Sequence, residues 1–161
     1  MSSSGKNISE HELDSIPTGK GYKFAVIVSE WNIEITQNLF LGIIKTLVKK
    51  EVLEQDIHRY NVPGSFELVY GAKFAQKKNS YNAIIAVGCI VKGETSHFDF
   101  ISNSVSNGIK DLNVKGNVPV IFCVLTDNNI SQSIERSGGI HGNKGIEAAV
   151  SALKMASLNF Q

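Results

Sequence analysis

Cysteine is scarce in this 161-residue chain: there are two, Cys89 and Cys123. Each lies inside an apolar, strand-like run, where a thiol behaves as a small hydrophobe, and neither has the basic neighbour that makes a reactive thiolate. Both are expected in the core, which argues against a cysteine nucleophile. A disulfide between them would need neighbouring strands and an oxidising compartment. The segment 1–21 lacks the apolar stretch of a secretory signal, and Glu10, Glu12 and Asp14 argue against an organelle transit peptide. A flexible N-terminal arm over 1–21 and a reducing, cytoplasmic location are the expectations. Net charge is lacking too, since sixteen basic residues face fifteen acidic ones, and this leaves no footprint for nucleic acid or an anionic membrane. No apolar run approaches the roughly 18 residues of a membrane span. Without an internal repeat or a dividing linker, 22–161 is expected to form one soluble domain.

What the chain does hold is a regular alternation of apolar runs and helical patterns. Lys23 to Ser29 reads as a buried strand, followed by Glu30, Trp31 and Asn32 as a turn. From Ile35 to Lys50, residues Ile35, Leu39, Ile43, Leu47 and Val48 recur at helical spacing, and two lysines close the segment where the helix dipole favours cations. Asp56 to Val62 alternates as a strand nearer an edge does, and Pro63 and Gly64 stop it. Ser65 is a candidate cap for a helix running to about Lys77, with Phe66, Val69, Ala72 and Phe74 facing inward. Ala83 to Val91 has the β-branched richness of a strand buried on both faces. Phe98, Ile101, Val105, Ile109 and Leu112 then mark a helix. Pro119 opens a fourth strand, Val120 to Leu125, which ends in Thr126, Asp127 and Asn128. A short helix from Ile130 to about Arg136, a glycine-rich turn from Ser137 to Gly142 and a last helix from Asn143 or Lys144 to about Leu158 complete the pattern. This order predicts an α/β three-layer αβα sandwich: a four-stranded parallel sheet, right-handed crossovers and an extra C-terminal helix.

Such sheets bind ligands outside the carboxyl ends of their strands. The rule gathers Glu30–Trp31–Asn32, Ser65–Phe66–Glu67, Gly93–His97 and Thr126–Asn128 at one cleft. The third segment is the richest in chemistry. There the strand breaks into Lys92, Gly93, Glu94, Thr95, Ser96 and His97, and the unpaired N–H groups of the next helix can bind a phosphate. Thr95 and Ser96 suit a helix start, and His97 changes charge near neutral pH. Taken singly, Trp31 would more often pack, Glu67 complement a helix dipole and a lone histidine cap a helix; their convergence is what points to a site. Gly88, Gly93 and Thr95 have the spacing of a Walker loop, yet Glu94 stands where that motif requires lysine and Cys89 to Val91 continue a strand. A signalling receiver domain of similar topology would need an aspartate where Lys92 and Gly93 stand.

Four segments together carry a resemblance: VPGSFEL (Val62 to Leu68), GCIVKGETSHFDF (Gly88 to Phe100), PVIFCVLT (Pro119 to Thr126) and ERSGGIHGNKG (Glu135 to Gly145). In order and spacing they resemble the lumazine synthase family, whose members make 6,7-dimethyl-8-ribityllumazine in the penultimate step of riboflavin biosynthesis. The resemblance implies a flavodoxin-like strand order and a condensation of two small substrates, without metal or organic cofactor. It places Trp31 where an aromatic stacks on the pyrimidine of 5-amino-6-(ribitylamino)uracil, Ser65, Phe66 and Glu67 along the ribityl chain, and the backbone of Cys89, Ile90 and Val91 at the uracil edge. Glu94 and Thr95 match the cradle for the phosphate of 3,4-dihydroxy-2-butanone 4-phosphate, and His97 the proton-transfer residue. Phe122, Arg136 and Lys144 match residues that enter the site from a neighbouring subunit.

Arg136 has no evident partner nearby in sequence, and Lys144 opens a helix, an electrostatically poor place for a cation; a phosphate-binding role would account for the first. Glu94 departs from the small residue common in the family, and an inward carboxylate there would repel the phosphate substrate. A site between subunits implies a homo-oligomer. The resemblance implies pentamers, twelve of which form a sixty-subunit shell in many members, and association with riboflavin synthase. The short connector Ser137 to Asn143 favours the shell. A non-catalytic shell or flavin-binding protein on the same fold is the alternative, and Glu94 is its one sequence argument.

Overall fold

The computed structural model describes residues 15–78 and 80–158. The four apolar runs become strands β1 (Phe24–Ser29), β2 (Ile57–Val62), β3 (Ala83–Val91) and β4 (Val120–Asp127). They pair in parallel in the order β2-β1-β3-β4, the flavodoxin-like order expected of the family resemblance. β2 is an edge, as its half-exposed alternation implied, and β1 and β3 are buried on both faces. Among the described residues five α-helices cross between and beyond the strands: α1 (Ile33–Lys49), α2 (Leu68–Lys77), α3 (His97–Lys115), α4 (Ile130–Arg136) and α5 (Lys144–Ala156).

Side chains alternate along each strand, so the sheet divides the interior into two cores. Phe24, Val26, Val28, Ile85, Val87 and Cys89 meet Leu39, Ile43 and Leu47 of α1 and Ala149 and Leu153 of α5. On the other face Ala25, Ile27, Ile84 and Ala86 meet Leu68, Ala72 and Ala75 of α2 and Val105 and Ile109 of α3. The result is the expected three layers, with α5 completing the α1 face. No helix among the described residues is long and apolar enough to cross a membrane.

Helix α2 corrects the sequence-based expectation. It starts at Leu68, not Ser65, and its buried stripe is Leu68, Ala72 and Ala75. Phe66 and Phe74 are exposed. The cause is the closeness of α2 to the sheet: a Cβ on Gly71 would lie 2.6 Å from Ile27 Cγ2, so small residues fill that contact and aromatics are displaced from it. Val48, likewise expected on the inner stripe of α1, is exposed.

The first fourteen residues of the segment read as an arm lie outside the described residues. Its remainder is held on the core: Ile16 is buried, Gly19 N–H donates to Lys50 O at 2.7 Å, and Thr18 Oγ1 donates to Glu51 at 2.6 Å. The glycine-rich connector after α4 is ordered as a small antiparallel hairpin, β5 (Ser137–Gly139) and β6 (Gly142–Asn143). Gly138 and Gly142 have φ of 137° and 74°, a region that L side chains avoid. Asn143 then ties three elements together. Its Nδ2 donates to Asn38 O at 2.8 Å and to Ser137 O at 3.1 Å, while its Oδ1 accepts from Gly145 N at 2.8 Å.

Candidate active site

At the carboxyl ends of β1 and β3 the chain leaves a cleft of about 530 Å³. Trp31 and Asn32 border it from the loop after β1, Gly64, Ser65, Phe66 and Glu67 from the turn after β2, Cys89, Ile90 and Val91 from the end of β3, and His97 and Ile101 from α3. Three of the four strand ends gathered by sequence reasoning thus meet; Thr126–Asn128, of which Thr126 and Asp127 are the last residues of β4, are not among the lining residues.

Trp31 stands 72% exposed on the rim. Its backbone is nonetheless fixed: Trp31 N–H donates to Pro63 O at 3.2 Å, Glu30 N–H donates to Val62 O at 2.8 Å and Ser29 Oγ donates to Trp31 O at 3.3 Å. The indole is therefore a platform on a pinned turn. Asn32 adopts the left-handed region at φ 58° and sends Nδ2 across to Cys89 O at 3.0 Å. That bond ties the platform to the end of β3.

The cleft floor depends on Gly88, because a Cβ there would lie 2.8 Å from both Ser65 Oγ and Leu68 Cδ1. Ser65 does not cap α2. Its hydroxyl is buried without a hydrogen-bond partner among the described residues, and an unmet buried hydroxyl is costly until something supplies a bond. Glu67 occupies the α2 N-cap position without a side-chain capping bond, and its carboxylate borders the cleft.

α3 starts at His97, with Ser96 as N-cap making no side-chain bond and Thr95 Oγ1 accepting from His97 N–H at 3.4 Å. Of its first amides, His97 N–H is thus taken, and Asp99 N–H and Phe100 N–H donate to Ser96 O at 3.1 and 3.3 Å. Glu94 and Thr95 are exposed on the loop leading into the helix, and neither lines the cleft.

Phe122, Arg136 and Lys144 are also absent from the cleft lining. They lie on β4, at the end of α4 and at the start of α5. Two expectations about them are corrected. Arg136 has an intrachain partner, the buried Asp127, at 3.2 Å. Lys144 is not a stranded charge, because Glu147 one turn along α5 accepts from its Nζ at 2.5 Å. The thiols stay out of the chemistry. Burial pushes Cys123 up to about 12, with Glu147 adding to the effect. Burial also raises Cys89, partly offset by its bond to Ser133. Both cysteines are buried and free.

The family model for 6,7-dimethyl-8-ribityllumazine synthase matches residues 21–159. The chain belongs to the lumazine synthase family. A Flavobacterium johnsoniae protein named 6,7-dimethyl-8-ribityllumazine synthase is 53% identical over 161 residues, spanning 100% of this chain and 85% of the relative. One of the same name from Christiangramia forsetii is 54% identical over 159 residues, covering 98% of this chain and 95% of the relative. A third, from Porphyromonas gingivalis, is 47% identical over 158 residues and covers 98% of both.

Within this lumazine synthase family member, sequence reasoning placed the cleft but missed its supports. Gly64 and Ile101 line it without having been singled out. The anchoring bond of Asn32 and the Asp127–Ser133–Arg136 group were also missed. Local signals for them are weak: an asparagine in a turn and an aspartate at a strand end are ordinary loop residues until the fold shows what they face.

Proposed function

We propose that this chain condenses 5-amino-6-(D-ribitylamino)uracil with 3,4-dihydroxy-2-butanone 4-phosphate to give 6,7-dimethyl-8-ribityllumazine, phosphate and water. The observation that carries the reading is the meeting, in a member of this family, of Trp31, Ser65–Glu67, Cys89–Val91 and His97 around one cleft. Trp31 stacks on the pyrimidine, and the backbone at the end of β3 reads its edge. Ser65 and Glu67 take the ribityl hydroxyls, which gives the unpartnered Ser65 Oγ its bond. The backbone amides of the loop leading into α3 hold the phosphate together with Thr95 and, from the neighbouring subunit, Arg136. Glu94 contributes backbone only, in keeping with its exposed side chain outside the cleft lining.

The pyrimidine 5-amino group attacks the ketone to form an imine with loss of water. Phosphate is then eliminated, and the ribitylamino nitrogen closes the second ring, losing a further water. Alignment of two bound substrates supplies most of the acceleration, and His97 moves protons between the reacting atoms. Phe122 and Lys144 complete the pyrimidine side from the adjacent copy. The working unit is then a ring; we propose a pentamer in the cytoplasm, able through its short connector to form the sixty-subunit shell and to associate with riboflavin synthase.

Turnover of purified protein with the two substrates, followed by lumazine absorbance and fluorescence on a sample of known assembly mass, tests the reading. Product formation supports it. An assembled oligomer giving no product would place the non-catalytic shell or flavin-binding protein first.

A further inference from the structure

Asp127 ends β4 with 3% of its surface exposed. A carboxylate that deep persists when its oxygens are bonded, and both are. Oδ2 accepts from Ser133 Oγ at 2.8 Å, and Oδ1 accepts from Arg136 Nη1 at 3.2 Å. Ser133 in turn accepts from Cys89 Sγ at 3.3 Å. Asp127 itself is fixed by the sheet, paired in register with Val91, and its carbonyl accepts from Lys92 N–H at 2.9 Å. Ser133 and Arg136 are three residues apart on α4 and so share a face, which lets one carboxylate hold both.

The bond to Arg136 uses a single nitrogen and leaves the side chain 36% exposed. The rest of the guanidinium fork is open to an anion, and its direction is set from behind by a group that cannot move. A guanidinium on a long flexible stem loses rotamer freedom on binding unless another group has already restrained it. Resting on the phosphate role given to Arg136 above, we propose that Asp127 is a positioning residue: it aims Arg136 at the phosphate of the butanone substrate without touching that substrate. A carboxylate acting only through its charge would do the opposite, weakening phosphate binding by repulsion.

Steady-state kinetics of Asp127→Ala, Asp127→Asn, Arg136→Ala and the Asp127→Ala/Arg136→Ala double variant separate these cases, on samples matched to the parent in assembly mass and Tm. Asp127→Ala is expected to raise KM for the butanone phosphate about tenfold, the scale of a misplaced binding group, while KM for the pyrimidine stays within about twofold. Asp127→Asn keeps an acceptor for Arg136 and should recover most of the loss. Added to Arg136→Ala, Asp127→Ala should raise KM no further, since the arginine it positions is gone. The proposal is overturned if Asp127→Ala leaves KM for the butanone phosphate unchanged or lowers it. It is equally overturned if both substrates suffer alike, or if the effect persists in the Arg136→Ala background. If Arg136→Ala alone leaves that KM intact, the phosphate role of Arg136 fails, and the positioning role with it.

Discussion

His97 sits where the first turn of α3 faces the cleft, and its assignment as a proton carrier makes a modest demand. In a reaction driven mainly by bringing two substrates together, acid–base help from one imidazole is worth roughly a hundredfold. His97→Ala should therefore lower kcat by about a hundredfold or less, with assembly unchanged, and single-turnover rates would read it directly. Complete loss of product would mean that His97 does more than carry protons. Trp31, Glu67 and the end of β3 were not legible singly; what gathered them was their shared position at strand ends, where an α/β sheet collects ligands. Arg136 and Lys144 were legible only through the family. Their partners, Asp127 and Glu147, show that a charge unpaired in sequence need not be unpaired in space.

At the scale of elements, apolar runs and helical spacing were sufficient for strand order and layers. β3 and α4 have the bounds that their sequence patterns imply. What local pattern could not convey is how closely the layers approach. α2 lies so near β1 that alanines and a glycine make the contact, and the sequence-based inner face was misjudged for that reason. The same closeness governs the packing of α1 against α5. A Cβ on Gly145 would lie 2.0 Å from Leu39 O, a backbone atom that cannot swing aside. Gly145→Ala should cost about 1–3 kcal/mol through overpacking, seen as a Tm lower by several degrees in thermal unfolding. Gly93→Ala, whose added Cβ would meet no atom within 4 Å beyond its chain neighbours, should leave Tm nearly unchanged. Equal Tm values for the two variants would contradict this account of the α1–α5 contact.

For the whole molecule, burial of the two thiols makes stability depend on alkaline pH. The Cys123 thiol stays protonated up to about 12 in the fold, against an ordinary value of 9.0. The unfolded chain releases that proton first, so its contribution is fully present below pH 9 and is lost as pH rises from there toward 12. The slope is at most about 1.4 kcal/mol per pH unit for one group. Cys89 adds in the same direction. Urea midpoints measured from pH 8 to pH 11 should fall more steeply for the parent than for Cys123→Ala; parallel curves would show that the thiol does not matter.

The central claim is that the condensation uses the cleft of one subunit and Arg136 of the next. The most direct test is the activity of oligomers co-assembled from equal amounts of Trp31→Ala and Arg136→Ala chains. Each variant alone spoils every site. In a randomly mixed ring, an intact cleft meets an intact arginine at about a quarter of the junctions, because each contact repeats around the ring. Recovery to about a quarter of parent turnover is the predicted result. Activity no higher than that of the separate variants, from a sample shown to be mixed, would contradict a site shared between subunits.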